Sequence, residues 1–238
     1  MKIVIPMAGE GSRFAKEGYT FPKPLIDVNG KPMIQVVVDN LKFDAEYIFL
    51  VRTEHLTKYE GLETTLSRIT NGRYKIVEVD RLTEGAACTV LLAKNYINND
   101  EDLLIANSDQ VIEYSPENFN YLKNFTNADG IVFTFRAVHP KWSFVKTNFH
   151  GVVTEVAEKN PISDIATCGI YWYRKGSEFV SCAENMIEKN IRVNNEFYIA
   201  PVYNELIHFG KTLIPFFVHK MHGIGTPEDL EFYLRENR

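Results

Sequence analysis

Apolar residues fall in short dense blocks separated by amphipathic stretches. KIVIP (2–6), EYIFLV (46–51), YKIVEV (74–79) and DLLIA (102–106) are too short for helices and read as buried strands. Between them PMIQVVVDNL (32–41), GLETTLSRI (61–69) and GAACTVLLAKNY (85–96) carry helical patterns. Strands alternating with helices in this way predict an α/β fold: a Rossmann-like mixed, mainly parallel central sheet flanked by helices, with right-handed crossovers. In such sheets ligands gather beyond the carboxyl ends of the strands. Two polar segments follow strand ends of this kind, the loop after KIVIP and Asn107-Ser108-Asp109.

Beyond about residue 115 the alternation loosens. GIVFTF (130–135), GVVTEVAE (151–158), CGIYWYR (168–174) and TLIPFFV (212–218) predict strands, and GSEFVSCAENMIEK (176–189) and IAPVYNELIHF (199–209) predict helices. PEDLEFYLREN (227–237) predicts a last helix with Pro227 in its first turn. No Pro/Gly/Ser-rich linker separates the halves, so residues 1–238 are expected to form one domain, with 1–115 binding one ligand and 116–238 a second.

Composition narrows the function. The chain of 238 residues is 45% hydrophobic and 24% charged, the balance of a globular protein. A net charge of −5 argues against a broad nucleic-acid surface, so any anion must be held locally. No stretch resembles a signal peptide or a membrane span, which predicts no membrane partner and a cytoplasmic location. Cys88, Cys168 and Cys182 are widely spaced and predict reduced thiols instead of disulfides or a zinc site.

The loop MAGEGSRFAKEGYTFPKPL (7–25) carries the most pointed chemistry. Gly9-Glu10-Gly11 starts like a dinucleotide fingerprint, but Phe14 stands where the third glycine belongs, and the P-loop pattern fails as well. What remains is a glycine loop that lets backbone N–H groups approach an anion, with Arg13 and Lys23 supplying positive charge. Pro22 and Pro24 are expected to hold Lys23 in an extended segment.

IPMAGEGSRF followed by FPKPLIDVNGKPMI resembles the nucleotidyltransferase family that includes the sugar-1-phosphate nucleotidylyltransferases. Asn107-Ser108-Asp109, Glu158-Lys159-Asn160-Pro161, Cys168-Gly169-Ile170-Tyr171 and Gly225-Thr226-Pro227 follow in the order of the family's landmarks. The resemblance implies the fold of nucleotide-diphospho-sugar transferases, and attack by an acceptor's phosphate on the α-phosphorus of a nucleoside triphosphate, with pyrophosphate leaving. Arg13 would hold the leaving end and Lys23 the α-phosphate, while Lys159 would grip the acceptor's phosphate. Ala8, Gly9, Glu10 and Gly11, with Thr83, Glu84, Gly85 and Asp109, would bind the nucleotide. Gly151, Glu158, Asn195 and Glu196 would contact the acceptor. Asp109 would be the ligand of a magnesium ion, which takes oxygen donors and keeps several waters.

Plainer readings stand beside these roles. Asn107-Ser108-Asp109 also suits an Asx turn, and Thr83 with Gly85 suits a helix cap. The family's C-terminal W-x-D-x-G-T carries a second metal carboxylate, whereas here Gly223 takes that place in MHGIGT, with His222 the nearest other candidate. The opening and closing segments further resemble nucleotidyltransferases of surface or capsular polysaccharide assembly, some similar to a cytidylyltransferase acting on phosphorylated glutamine, which mildly favours CTP. Two other classes are a GT-A-type glycosyltransferase, which should show a D-x-D motif, and a catalytically silent nucleotide-binding regulatory module. Asn107-Ser108-Asp109 has only the second acid of D-x-D, and retention of Arg13, Lys23, Asp109 and Lys159 argues against silence.

Overall fold

The computed structural model describes residues 1–237. Strand β1 (Lys2–Pro6) leads through helix α1 (Ser12–Lys16), a single 3-10 turn at Lys23–Leu25 and a small hairpin, β2 (Asp27–Val28) and β3 (Lys31–Pro32), into helix α2 (Met33–Leu41). Next come β4 (Glu46–Arg52), α3 (Thr53–Lys58), α4 (Gly61–Ile69), β5 (Tyr74–Val79), α5 (Ala86–Leu91), α6 (Lys94–Ile97), β6 (Leu103–Ala106) and β7 (Gln110–Glu113). The second half runs α7 (Pro116–Phe125), β8 (Gly130–Arg136), β9 (Ser143–Thr147), β10 (Val153–Glu158), β11 (Ile165–Tyr173), α8 (Gly176–Glu188) and α9 (Val202–His208). It closes with β12 (Leu213–Phe217), β13 (Lys220–Gly223) and α10 (Pro227–Glu236).

A nine-stranded sheet passes through both halves. β1 lies between β4 and β6, parallel to both, and β5 continues parallel to β4. β11 then joins β6 in the antiparallel sense, and β8 and β12 extend the sheet beyond it. The mixed, mainly parallel sheet expected from the hydrophobic pattern is therefore present, its antiparallel pairs all involving β9 or β11. Because the chain leaves β1 toward β4 on one side and β6 lies on the other, a crevice opens above the carboxyl end of β1.

Alternation within the strands sorts the core into two layers. Ile3, Ile5, Phe49 and Leu104 face one side, where Val37 and Leu41 of α2, Leu66 of α4 and Phe119 of α7 cover them. Val4, Ile48, Leu50 and Ile105 face the other, under Val90 of α5, Phe179 and Ala183 of α8 and Leu206 of α9. Each fully buried side chain of this kind contributes about 1.5–3 kcal/mol of transfer free energy.

β11 is forked. Tyr171, Trp172 and Tyr173 pair with β6, whereas Ala166 reaches Phe144 of β9, and the ladder to β8 slips between Thr167 and Tyr171. Gly169 sits at that slip with φ +71°, where a Cβ would overlap the side chains of Gln110 and Asn107. Beside the fork lies a cavity lined by Ser143, Glu158, Thr167, Gly169 and Tyr171.

Two sequence expectations need correction. GAACTVLLAKNY is not one helix: the Leu92 and Ala93 N–H groups donate three residues back, to the Thr89 and Val90 carbonyls at 3.0 and 2.9 Å, and this tightening separates α5 from α6. Lys23 is not extended, because the Leu25 N–H donates to the Pro22 carbonyl at 2.8 Å and closes the 3-10 turn on it.

Candidate active site

The loop after β1 and the Asn107-Ser108-Asp109 segment after β6 meet at the carboxyl ends of those adjacent strands. No hydrogen bond among the described residues engages the N–H groups of Ala8, Gly9, Glu10 or Gly11. Two adjoining cavities of about 430 and 480 Å³ share Gly9, Gly11, Lys23, Asp109 and Glu196 in their walls. Arg13 lines the first and Ala8, Glu10, Thr83 and Gly85 the second.

The 3-10 turn swings the Lys23 ammonium onto the Asp109 carboxylate, to which it donates. Both side chains are only partly buried, so the pair stays accessible from the crevice. The Ile224 N–H donates to the Asp109 carbonyl at 2.9 Å, and Gly225 abuts the Asp109 carboxylate so closely that a Cβ there would overlap it.

Residues 82–85 are fastened to the segment after α8. The Phe197 N–H donates to the Glu84 carbonyl at 2.8 Å and the Ala87 N–H to the Phe197 carbonyl at 2.9 Å. Gly85, at φ +132°, lies against the Phe197 backbone with no room for a side chain. Arg192 reinforces the join by reaching Glu84 at 2.5 Å, donating to the Asn195 carbonyl at 3.1 Å and stacking 4.0 Å from the Phe197 ring centroid. Glu84 is thus a clasp residue here, outside the cavity walls, and Asn195 serves through its carbonyl. Gly85 stands at the start of α5 and no side chain caps that helix; Thr83 instead donates to the Gly85 carbonyl at 3.0 Å, so it holds its cavity-wall position without acting as a cap.

A third cavity, of about 260 Å³, occupies the fork of β11 and shares Asn107 and Ala86 with the second. Glu158 and Ser143 form part of its wall, and the Ser143 hydroxyl donates to the Glu158 carboxylate. Burial pushes the Glu158 carboxyl above the usual glutamate range; Ser143 and Lys159 pull it back, and Glu196 adds to the rise. Lys159, at φ +53°, donates to the Tyr198 hydroxyl at 2.6 Å, with its ammonium 4.6 Å from that ring's centroid, beside this cavity.

Gly151 does not join the site. It closes the β9–β10 hairpin, where its N–H donates to the Asn148 carbonyl at 3.0 Å, and its φ of +79° accounts for the glycine. The hairpin reaches the cavity wall through Glu158 and, opposite it, Ser143, eight positions before Gly151 in WSFVKT, the missed strand β9. Gln110, Trp142 and Tyr198 also line this cavity and carry no motif that marks them in sequence.

Magnesium chemistry fits part of this arrangement. Asp109 offers one carboxylate, and the described residues contain no group of three or more His, Cys, Asp or Glu side chains placed to hold a metal. One carboxylate with substrate phosphates and waters suits magnesium. His222 does not supply a second ligand: it meets Glu113 at 3.0 Å and packs against Tyr233. Position 223 faces Trp142 and Asp229, at 3.6 and 3.5 Å from where a Cβ would stand.

The profile of the nucleotidyl transferase family matches residues 2–215. A nucleoside-diphosphate-sugar pyrophosphorylase from Vibrio cholerae RC9 superposes with a TM-score of 0.83 at 29% identity, over 98% of this chain and 99% of that one. The UTP–glucose-1-phosphate uridylyltransferase AglF of Haloferax volcanii is 25% identical over 96% of this chain and 93% of its own. The bifunctional protein GlmU of Methanococcus aeolicus is 29% identical over 72% of this chain, which spans 39% of the length of that relative.

Proposed function

The chain belongs to the nucleotidyl transferase family, and on that premise we propose that it joins a nucleoside triphosphate to a phosphorylated sugar or related small acceptor, releasing pyrophosphate. The observation that carries this reading is the convergence of the free N–H loop, Arg13, Lys23 and Asp109 on one crevice that runs into the Glu158 cavity. An acceptor seated by Glu158 and Lys159 points its phosphate toward the triphosphate. A phosphate oxygen forms the new bond to the α-phosphorus as the bond to the β-phosphate's bridging oxygen breaks. Lys23 leaves Asp109 to neutralise charge at the α-phosphate, while Arg13 and the Ala8–Gly11 amides hold the leaving pyrophosphate. Asp109, freed from Lys23, is the residue to hold magnesium, which when bound neutralises phosphate charge.

The finer assignment rests on sequence resemblance: CTP as the favoured nucleotide, phosphorylated glutamine among the acceptors, and a product for capsular or other surface polysaccharide made in the cytoplasm. No helix among the described residues is long and apolar enough to cross a membrane. The test is pyrophosphate release with magnesium, each of the common nucleoside triphosphates and a panel of phosphorylated acceptors. Release that requires both substrates, greatest with CTP, is expected. Tight nucleotide binding without release from any pair would replace this reading with a silent binding module.

A further inference from the structure

Gln110 begins β7, one residue beyond Asp109, and lines the cavity in the fork of β11. Its backbone is held in register with Gly223 of β13. Its side chain lies against Gly169, so closely that a Cβ at 169 would overlap Oε1. The amide therefore occupies space that only a glycine at 169 leaves open. Oε1 is buried and accepts no hydrogen bond among the described residues.

The hydroxyl and carboxylate groups of this wall are already engaged. Ser143 donates to Glu158, and the Thr167 and Tyr171 hydroxyls share a hydrogen bond at 3.3 Å. A buried carbonyl oxygen left without a donor is costly, and it rejects any ligand that does not supply one. Resting on the transfer reading above, we propose that Gln110 is a specificity-determining residue. Its Oε1 accepts a hydrogen bond from a hydroxyl or N–H of the acceptor, and the cavity selects phosphorylated acceptors bearing such a donor over those with a carboxylate, ether or hydrogen there.

Steady-state pyrophosphate release tests this with glucose 1-phosphate, N-acetylglucosamine 1-phosphate and phosphorylated glutamine as first probes. Deoxy or N-methylated analogues of whichever probe reacts then follow. Gln110→Met keeps the side chain's length without its amide, and Gln110→Asn keeps the amide but withdraws it by one methylene. Both are expected to raise the acceptor KM about tenfold or more while the nucleotide KM stays within about twofold. One analogue should cost the parent enzyme about tenfold to a hundredfold in kcat/KM and cost Gln110→Met nothing further, the mark of a shared contact. Turnover by the parent, with acceptor KM and analogue ranking unchanged in both folded variants, would overturn the role of Gln110 alone. No turnover by the parent with any probe would overturn the transfer reading, and this assignment with it.

Discussion

Lys23 and Asp109 neutralise each other across the crevice, but neither is deeply buried. A pair of this exposure contributes about 0–1 kcal/mol to stability, whereas a preorganised charge facing a transferring phosphate is worth on the order of a hundredfold to a thousandfold in rate. Lys23→Ala and Asp109→Asn should each lower kcat by about that factor and shift Tm by only about 2–4 °C. Full activity of Asp109→Asn with unchanged magnesium dependence would remove Asp109 from the metal site. Glu158 makes a separate prediction. Because burial raises its carboxyl, the folded chain binds the proton more tightly than the unfolded chain, so its contribution to stability is complete below the ordinary glutamate range and lost as pH rises through the folded value. Glu158→Gln should gain thermal stability relative to the parent between acidic and neutral pH while losing acceptor affinity; a parallel pair of Tm–pH curves would contradict the burial argument. At this scale, residues with a chemical signature were legible: Gly9, Gly11, Arg13, Lys23 and Asp109 were named from sequence and line one crevice, and Glu158 lines the adjoining cavity. Ser143, Gln110 and Tyr198 were not, because an ordinary polar residue becomes functional only through which wall it occupies.

Elements were legible where an apolar period was long or a cap was explicit. α10 begins with Thr226 accepting the Asp229 N–H at 3.1 Å and Pro227 in its first turn, as its sequence predicts. The same device opens α7, where Ser115 accepts the Asn118 N–H at 3.1 Å ahead of Pro116, yet the polar face of PENFNYLKNF hid that helix. The short strands β7 and β13 each hold four residues, too few for a period to declare itself, and are held mainly by each other. Their pairing decides what position 223 can do. An aspartate introduced there would stand beside the Asp229 carboxylate and the Trp142 ring, so Gly223→Asp should not strengthen magnesium dependence and should lower stability, checked by activity against magnesium concentration and by urea unfolding. Gly169→Ala should lose more than the roughly 1 kcal/mol that a side chain costs at positive φ, since the methyl also meets Gln110 and Asn107. A midpoint unchanged in urea would show that β11 relaxes freely at its fork.

At the scale of the molecule, the parallel order was legible because β1, β4 and β5 are each followed by helix, whereas in the second half most elements were legible one by one but their antiparallel pairing was not, because its strands arrive without that rhythm. A triphosphate at about 100 times its dissociation constant should stabilise the chain by about 2.7 kcal/mol, a rise in Tm of roughly 5–10 °C. CTP is expected to give a larger shift than UTP at equal concentration; identical shifts with every triphosphate would show that the base is not read. The position of β11 also bears on synthesis. It is the neighbour of β6, whose end carries Asn107 and Asp109, but it lies some sixty residues further along the chain. A nascent or truncated chain that stops short of Ile165 exposes the β6 edge, unpaired and apolar, as a template for sticking to other chains. The triphosphate crevice takes its anion loops from early residues, but β11, the Phe197 segment that fastens residues 82–85 and Ile224–Gly225 beside Asp109 all arrive late, so a ribosome-tethered chain should acquire nucleotide binding abruptly, only after Gly225 emerges.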